Sequence, residues 1–183
     1  MIRDVRQVLD FWFAPGMKAR WFKRDAALDD EIRRLFLPLH ERAAAGALGE
    51  WQRTPEGSLA LVLALDQFPR NLFRGTARAF ATDGAARAVA AWAVDRDFDL
   101  KFADLDQRIF FYLPFEHSEN LDDQYRCLEL LRTRCQDPDY IRYGLAHFEV
   151  IKRFGRFPHR NAALGRPNTA AEEEYLARPD AGF

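Results

Sequence analysis

Cysteine is scarce in this chain, and the two cysteines present are poorly placed to form a disulfide. They stand at positions 127 and 135, eight residues apart. On one helix that spacing separates the Cα atoms by about 12 Å, whereas a disulfide needs them within about 7 Å. The stretch from Met1 to Arg6 also lacks the apolar core of a secretory signal. We therefore expect reduced thiols and a cytoplasmic protein.

Several residue types and motifs that mark common chemistries are missing. Only two serines occur, Ser58 and Ser118, and neither stands in a Gly-x-Ser-x-Gly sequence, which argues against a serine hydrolase. The sequence has no His-x-x-x-His or Glu-x-x-His pair, the usual spacings of metal ligands on a helix. Glycine-rich nucleotide-binding patterns are also missing. We expect neither a metal nor another cofactor.

The net charge is small, and long apolar runs are missing. A formal charge of −1 argues against a nucleic-acid partner. The longest clean apolar run, Leu59 to Leu65, is far shorter than the ~20 residues of a membrane span. Lysine is also rare, with only four among the 27 basic residues. A GC-rich genome explains this excess of arginine, and so does recognition of phosphate or carboxylate by guanidinium groups.

Helix signals recur along the whole chain, whereas strand-like alternation is scarce. Side chains that cap helix N-termini stand before apolar runs at Asp25, Thr54, Asp104, Ser118, Asp137 and Thr169. Asn-Gly does not occur, and the one Asp-Gly pair, Asp83-Gly84, opens a helical apolar pattern instead of joining two alternating runs. A length of 183 residues fits one domain. We predict an all-α fold with a single domain over residues 1–183.

One short motif occurs twice. Phe68-Pro69-Arg70-Asn71 and Phe157-Pro158-His159-Arg160-Asn161 both carry Phe-Pro followed by Arg-Asn. Each segment is predicted to follow the end of a helix. Because helix ends gather on common rims in stacked helix hairpins, we expect the two segments to approach each other in space.

A histidine interrupts the apolar face of the helix predicted over 139–154. His147 shares that face with Gly144 and Ile151, which places it on the buried seam and leaves space beside it. A hydrogen-bonded core histidine and a ligand-binding histidine both fit this position. We expect His147 to lie in one polar cluster with Glu116 or His117.

Two further polar positions do not fit their apolar surroundings. Asp66 shares a face with Leu59 and Val62 of a predicted helix, and a buried aspartate is rare unless it is paired. A partner arginine that braces two helices would explain it. The turn after Pro114 carries Glu116 and His117 directly out of an apolar run.

Three long segments of the chain resemble those of a known family. They are Leu65 to Gly75, Tyr112 to Glu119 and Arg153 to Asn161. All three are similar to hallmark motifs of the uncharacterised bacterial family called domain of unknown function nine-two-four. The resemblance runs from Val8 to the capping box at Thr169. It implies an all-helical, tetratricopeptide-like array of antiparallel helix hairpins, and it implies no activity.

Two functions from different classes remain open. In the first, a soluble helical protein binds an anionic small molecule or the acidic segment of a partner. The residues predicted to bind that ligand are Asp66, Arg70, Asn71, Arg74, Arg156, His159, Arg160 and Asn161. In the second, an enzyme acts on an anionic substrate with His117 or His147 as acid or base, oriented by Glu116. A structural polar network formed by the same residues is the third interpretation.

Overall fold

The computed structural model describes residues 4–179 and 181, and every regular element in that part of the chain is helical. The α-helices are α1 (Val5–Trp12), α2 (Ala26–Ala44), α3 (Pro55–Val62), α4 (Phe68–Leu72), α5 (Asp83–Val94), α6 (Leu105–Arg108), α7 (Leu113–Glu116), α8 (Leu121–Leu130), α9 (Pro138–Phe154), α10 (Asn161–Leu164) and α11 (Ala170–Leu176). Two π-helices occupy Leu63–Gln67 and Leu131–Cys135. Short 3₁₀ turns occupy Met17–Ala19, Gly49–Arg53, Ala77–Phe80, Asp99–Lys101, Ile109–Phe111 and Pro158–Arg160. The predicted all-α class is confirmed.

The described chain divides into two compact units. The first is drawn from residues 4–74 and 78–114, and the second from residues 75–77 and from residue 115 onward. The single domain over residues 1–183 and the tetratricopeptide-like array of hairpins stay predictions. Met1 to Arg3 belong to the stretch that is predicted to lack a signal core, and they lie outside the described residues. None of the helices described is long and apolar enough to cross a membrane.

Side-chain caps begin the helices at most of the predicted positions. Asp25 accepts a hydrogen bond from the Leu28 amide at 3.0 Å, and Thr54 accepts one from the Gly57 amide at 3.1 Å. Asp104 and Asp137 cap α6 and α9, and Thr169 forms the predicted capping box with Glu172.

Ser118 does not cap α8 as predicted. Asn120 does so instead, since its side chain accepts a hydrogen bond from the Asp122 amide at 2.8 Å. The hydroxyl of Ser118 donates to Asp123 at 2.6 Å, and it accepts a hydrogen bond from the Asn120 amide at 3.2 Å. Ser118 therefore shapes the turn that precedes the helix rather than its first turn.

Aromatic side chains form the core of the first unit. Trp12, Phe36, Phe68 and Phe110 are almost fully buried. The ring centroid of Trp12 lies 5.6 Å from that of Phe68 and 5.9 Å from that of Phe110, in edge-to-face geometry. Such pairs stabilise the fold beyond the area they bury. This core holds α1, α2 and the long helix that contains the first Phe-Pro-Arg-Asn motif.

The first motif lies inside a helix and does not follow one, contrary to the prediction. Residues 55–72 are helical without interruption, and the π-helix Leu63–Gln67 widens the helix just before Pro69. The amide of Phe68 donates to the Leu63 carbonyl, five residues back. Because Pro69 has no N–H, the carbonyls of Ala64 and Leu65 receive no hydrogen bond from it.

Two side chains from other elements supply the missing donors. His40 Nδ1, on α2, donates to the Ala64 carbonyl at 2.9 Å, and this bond assigns the proton to Nδ1. Thr82 Oγ1, just before α5, donates to the Leu65 carbonyl at 2.6 Å. The proline is therefore accommodated because both carbonyls are satisfied within the buried core.

The second unit is built on the hairpin of α8 and α9. Helix α9 ends at Gly155 in the left-handed conformation, with φ of 69°, as the sequence predicts. The second Phe-Pro-His-Arg-Asn motif follows this helix end, again as predicted. Val150, Ile151 and Phe157 form a buried cluster, against which Phe154 and Tyr175 pack. This packing fixes the motif beside the C-terminal half of α9.

Candidate functional site

The arginine of the first motif is engaged by carboxylates of its own unit. Arg70 donates to both oxygens of Asp83, at 3.0 and 3.1 Å, and to the backbone carbonyl of Asp66. Asp66 is fully buried, and its Oδ1 lies 3.3 Å from Arg70 Nη1. Its Oδ2 accepts a hydrogen bond from Gln67 at 2.6 Å. The guanidinium group thus braces its helix against the start of α5.

Asn71 and Arg74 converge on one carboxylate of α2. Arg74 donates to Asp29 through Nε at 2.8 Å and through Nη2 at 2.7 Å, and Asn71 donates to it at 2.7 Å. Burial opposes the ionisation of Asp29, but the hydrogen bonds from Arg74 and Asn71 outweigh it and lower its pKa. These two residues therefore connect the first motif to α2.

Arg156, the residue before the second motif, forms a clasp with the last helix. It donates to the two oxygens of Glu172 at 2.6 and 2.7 Å, and to the Pro167 carbonyl at 3.0 Å. The hydrogen bond from Arg156, followed by that from the Thr169 amide, lowers the pKa of Glu172 to about 2. This clasp ties the chain after α9 to α11.

Asn161 and Glu119 hold the backbone of the second motif through Arg166. Arg166 donates to Asn161 Oδ1 at 2.9 Å and to Glu119 at 2.7 and 2.9 Å. Glu119 also accepts the Phe157 amide at 2.8 Å. Burial opposes the ionisation of Glu119, yet the bonds from Arg166 and Phe157 lower its pKa. The turn after α7 and the second motif are therefore joined.

His147 and Glu116 are in contact in the second unit. His147 Nδ1 lies 3.3 Å from Glu116 Oε1 and 2.9 Å from the Tyr143 carbonyl. The side chains are largely buried, with 12% and 7% of their surface exposed. Because a carbonyl oxygen only accepts, Nδ1 carries the ring proton and Nε2 carries the lone pair of the neutral imidazole. The predicted polar cluster of His147 with Glu116 is confirmed.

Groups that carry or can take up positive charge surround the His147 ring. The ring centroid of His117 lies 6.3 Å from that of His147, and the ring of Phe157 lies 5.7 Å away. His159 packs on Phe157 at 5.5 Å, and the guanidinium carbon of Arg160 lies 4.5 Å from the Phe157 centroid. We call Glu116, His117, His147, His159 and Arg160 the His147 cluster.

The environment of His147 strongly disfavours its protonation. Burial is the largest cause of its low pKa, about 3 against an ordinary value of 6.5. The hydrogen bond to the Tyr143 carbonyl opposes that effect, while His117, His159 and Arg160 lower the pKa further. Around neutral pH the cluster therefore presents a neutral imidazole among positively charged and protonatable groups.

Three buried positions fix the geometry of Glu116. Gln124 Nε2 donates to the Glu116 carbonyl at 2.6 Å and to the Ser118 carbonyl at 2.8 Å. Cys127 Sγ lies 3.9 Å from Glu116 Oε2, and burial, followed by the charge of Glu116, raises the pKa of this thiol well above its ordinary value. A Cβ added at Gly144 would lie 3.4 Å from Glu116 Oε2. The thiol is therefore a weak donor rather than a nucleophile.

No group of three or more His, Cys, Asp or Glu side chains in the described residues could hold a metal ion. The three histidines of the cluster are therefore not arranged to bind one metal ion together.

Residues 8–180 match the model of a family described as "Bacterial protein of unknown function (DUF924)". The chain belongs to this family. It is also similar to a solved protein of unknown function from Agrobacterium tumefaciens, with 42% sequence identity and a TM-score of 0.89. That similarity covers 94% of this chain and 96% of the other. None of the curated proteins matches the sequence. No function is established for DUF924 by these comparisons.

The structure brings some of the predicted site residues of this DUF924 member together and engages others elsewhere. The His147 cluster contains five of them, all from the second unit. Arg156 and Asn161 lie in the same unit but bind Glu172 and Arg166. The remaining four, Asp66, Arg70, Asn71 and Arg74, lie in the first unit. The approach of the two Arg-Asn segments stays a prediction.

Gln124 is a site residue that the sequence argument missed. It is fully buried on α8, on the same face as Leu128 and Leu131. The spacing of i, i+4 and i+7 marks that face as apolar. A glutamine in such a stripe signals a buried hydrogen-bonding role, because a buried amide needs partners.

Proposed function

We propose that the second unit binds a small anion, a carboxylate or a phosphate, at the His147 cluster. The observation that carries this proposal is the placement of His117 with its ring centroid 6.3 Å from that of the largely buried His147. His159 and Arg160 pack on Phe157, whose ring lies 5.7 Å from that of His147. Positive groups that lie close together repel one another, and a bound anion relieves that repulsion. Imidazole N–H groups and guanidinium N–H groups are also suitable donors to oxyanions.

Two arginines of the second unit, Arg156 and Arg166, form ion pairs close to the His147 cluster. The charge of Arg156 is offset by Glu172 at 2.6 Å, and that of Arg166 by Glu119 at 2.7 Å. Their pairs support the loop that carries His159 and Arg160. We therefore assign Arg156 and Arg166, with Asn161, to holding the site rather than to contacting the anion.

The first-unit members of the predicted set have carboxylate partners in the same way. Asp83 engages Arg70, and Asp29 engages Asn71 and Arg74. We assign Asp66, Arg70, Asn71 and Arg74 to bracing the first unit.

Calorimetric titration with inorganic phosphate, sulfate, acetate and an Asp/Glu-rich peptide tests the proposal. His159 is exposed, so His159→Gln removes a charge-bearing group without disturbing the core. Loss of one charge-assisted hydrogen bond of about 1.5–3 kcal/mol would weaken binding roughly tenfold to a hundredfold. We expect His159→Gln and Arg160→Gln to show this loss.

The matched control is Arg74→Gln, which removes a paired arginine from the first unit. The affinity of this variant for the anion should differ from that of the wild type by less than about twofold, which is much less than the loss expected for a residue that contacts the anion. A loss comparable to that of Arg160→Gln would contradict the assignment of the site to the second unit. Failure of all four probes to bind the wild-type protein would refute the proposal.

A second candidate function is acid–base catalysis on the bound anion. It is favoured by the 3.3 Å contact between Glu116 Oε1 and His147 Nδ1, which orients the ring and leaves Nε2 as the basic nitrogen. Incubation with pools of phosphorylated metabolites and organic acids, followed by NMR, would reveal a product. Under this function His147→Gln and Glu116→Gln abolish turnover, whereas simple binding yields no product with any variant.

We also propose that the protein acts in the cytoplasm. Cys127 and Cys135 are both buried as free thiols, which fits a reducing compartment. Fractionation of cells that express the tagged protein tests this location.

A further inference from the structure

Charged and titratable groups lie around His147 at the end of α7, in the turn after it and in the loop after α9. Its own helix contributes the Tyr143 carbonyl, the last residue of α7 is Glu116, and His117 follows in the turn. The loop after α9 contributes His159 and Arg160.

Two more titratable groups reach His147 only through other residues. The buried thiol of Cys127, on α8, contacts Glu116 Oε2. The carboxylate of Glu119 is paired with Arg166 at 2.7 Å, and the charge of Arg160 also lowers its pKa. Protonation of the His147 ring is favoured by Glu116 and the Tyr143 carbonyl. It is opposed by His117, His159 and Arg160.

A bound anion changes this balance in one direction. In the free protein, an imidazolium at position 147 would have the single carboxylate of Glu116 at 3.3 Å, against three groups that are positive or can become so. An anion that contacts those groups adds negative charge a few ångströms from the ring. An opposite charge within about 4–6 Å favours the charged form of a group by about 1–3 pKa units.

We infer that binding of the anion is coupled to the uptake of one proton by His147, an inference that rests on the proposed function. The proton comes from solvent and adds to the lone pair on Nε2, while Nδ1 keeps its own proton toward Tyr143 and Glu116. The imidazolium gains one positive charge as the anion brings its negative charge. No bond other than this N–H is formed or broken.

The coupling has a measurable consequence for affinity. Between the pKa of His147 in the free protein and its higher pKa in the complex, the affinity falls by up to about tenfold for each unit by which the pH rises. Above the pKa of the complex His147 is neutral in both states, and this dependence ends. The site would therefore release its ligand as the pH rises and retain it in mildly acidic surroundings.

Imidazole NMR titration with sulfate as the probe tests the inference. Sulfate stays fully ionised over the titration, so any proton taken up belongs to the protein. The signal of His147 is assigned with His147→Gln, and those of His117 and His159 with His117→Gln and His159→Gln. Each histidine is then followed separately as the pH is lowered from about 7 to about 4, the range in which imidazoles charge.

Without sulfate, we expect the His147 signal to remain that of a neutral ring throughout. With saturating sulfate, its midpoint should rise by about 1–3 pH units. An unchanged His147 midpoint, with sulfate still shifting the signals of His117 and His159, would overturn the inference and leave the proposed function standing. No response of any cluster residue to sulfate would overturn the proposed function itself.

Discussion

Gly144 of α9 leaves room for the side chain of Glu116. A Cβ added at Gly144 would lie 3.4 Å from Glu116 Oε2 and only 2.6 Å from Leu131 Cδ1. The same helix presents His147 to Glu116 Oε1 one turn later, at 3.3 Å. The missing side chain at position 144 therefore lets the carboxylate and the imidazole share one buried space.

This relationship predicts that Gly144→Ala destabilises the protein. Overpacking against Leu131 and Glu116 costs about 1–3 kcal/mol, which exceeds the gain of under about 1 kcal/mol in helix propensity. The control is Gly84→Ala, since a Cβ at Gly84 would meet nothing within 4 Å. It should be neutral or stabilise by up to about 1 kcal/mol. Urea unfolding measures both, and equal gains in the two variants would contradict the packing argument.

The carboxylate of Asp29 should contribute measurably to stability, unlike that of its neighbour Asp30. Asp29→Asn weakens the contacts to Arg74 and Asn71, and a partly buried charge left without its partner costs about 1–3 kcal/mol. Asp30 is 81% exposed beside Arg33, so Asp30→Asn should change the free energy of unfolding by less than about 0.5 kcal/mol. Similar losses in both would show that Asp29 does not brace the first unit.

We expect the π-helix Leu63–Gln67 to need the hydroxyl of Thr82. Thr82→Val keeps the shape of the side chain but removes the donor to the Leu65 carbonyl, at a cost of about 1–3 kcal/mol. Thr133→Val is the matched change, because Thr133 donates to the Glu129 carbonyl on an exposed surface, where water can replace it. We expect a shift of less than about 0.5 kcal/mol there. Thermal unfolding compares them, and a stable Thr82→Val protein would mean that the carbonyl finds another donor.

The Arg156–Glu172 clasp should make stability depend on acid pH. The pKa of Glu172 is lowered from 4.5 to about 2, so its contribution is complete above about 4.5 and is lost as the pH falls toward 2. Between about pH 5 and pH 3 the urea midpoint of the wild-type protein should fall more than that of Glu172→Gln. Glu173→Gln, at an exposed neighbour, should behave as wild type. Parallel midpoints for wild type and Glu172→Gln would contradict this account.

Helix starts are predictable from the sequence because their determinants are local. Thr54, Asp137 and Thr169 each bond to an amide within three residues, so the cap and its target lie in one short segment. Ser118 fails as a predicted cap because the turn needs its hydroxyl for Asp123, and Asn120 is equally suited to cap α8. Two candidate caps two residues apart are not distinguished by propensity alone.

The π-helix and the arginine partners are not predictable in the same way. The π-helix depends on His40 and Thr82, 24 and 17 residues from the carbonyls they satisfy. Arg74 finds Asp29 across 45 residues, and Arg166 finds Glu119 across 47. Residue types show that such pairs are needed, whereas the fold determines which groups meet. The seam position of His147 was predictable because helical spacing alone places it there.

Chemical-shift mapping of the backbone amides during a sulfate titration tests the central claim most directly. If the His147 cluster binds the anion, the largest changes should fall on residues 116–119, 143–148 and 157–161. Amides near Asp29, Asp66 and Asp83 should remain unchanged. Changes confined to that first-unit region, or no change at any sulfate concentration, would contradict the assignment of the anion site to the second unit.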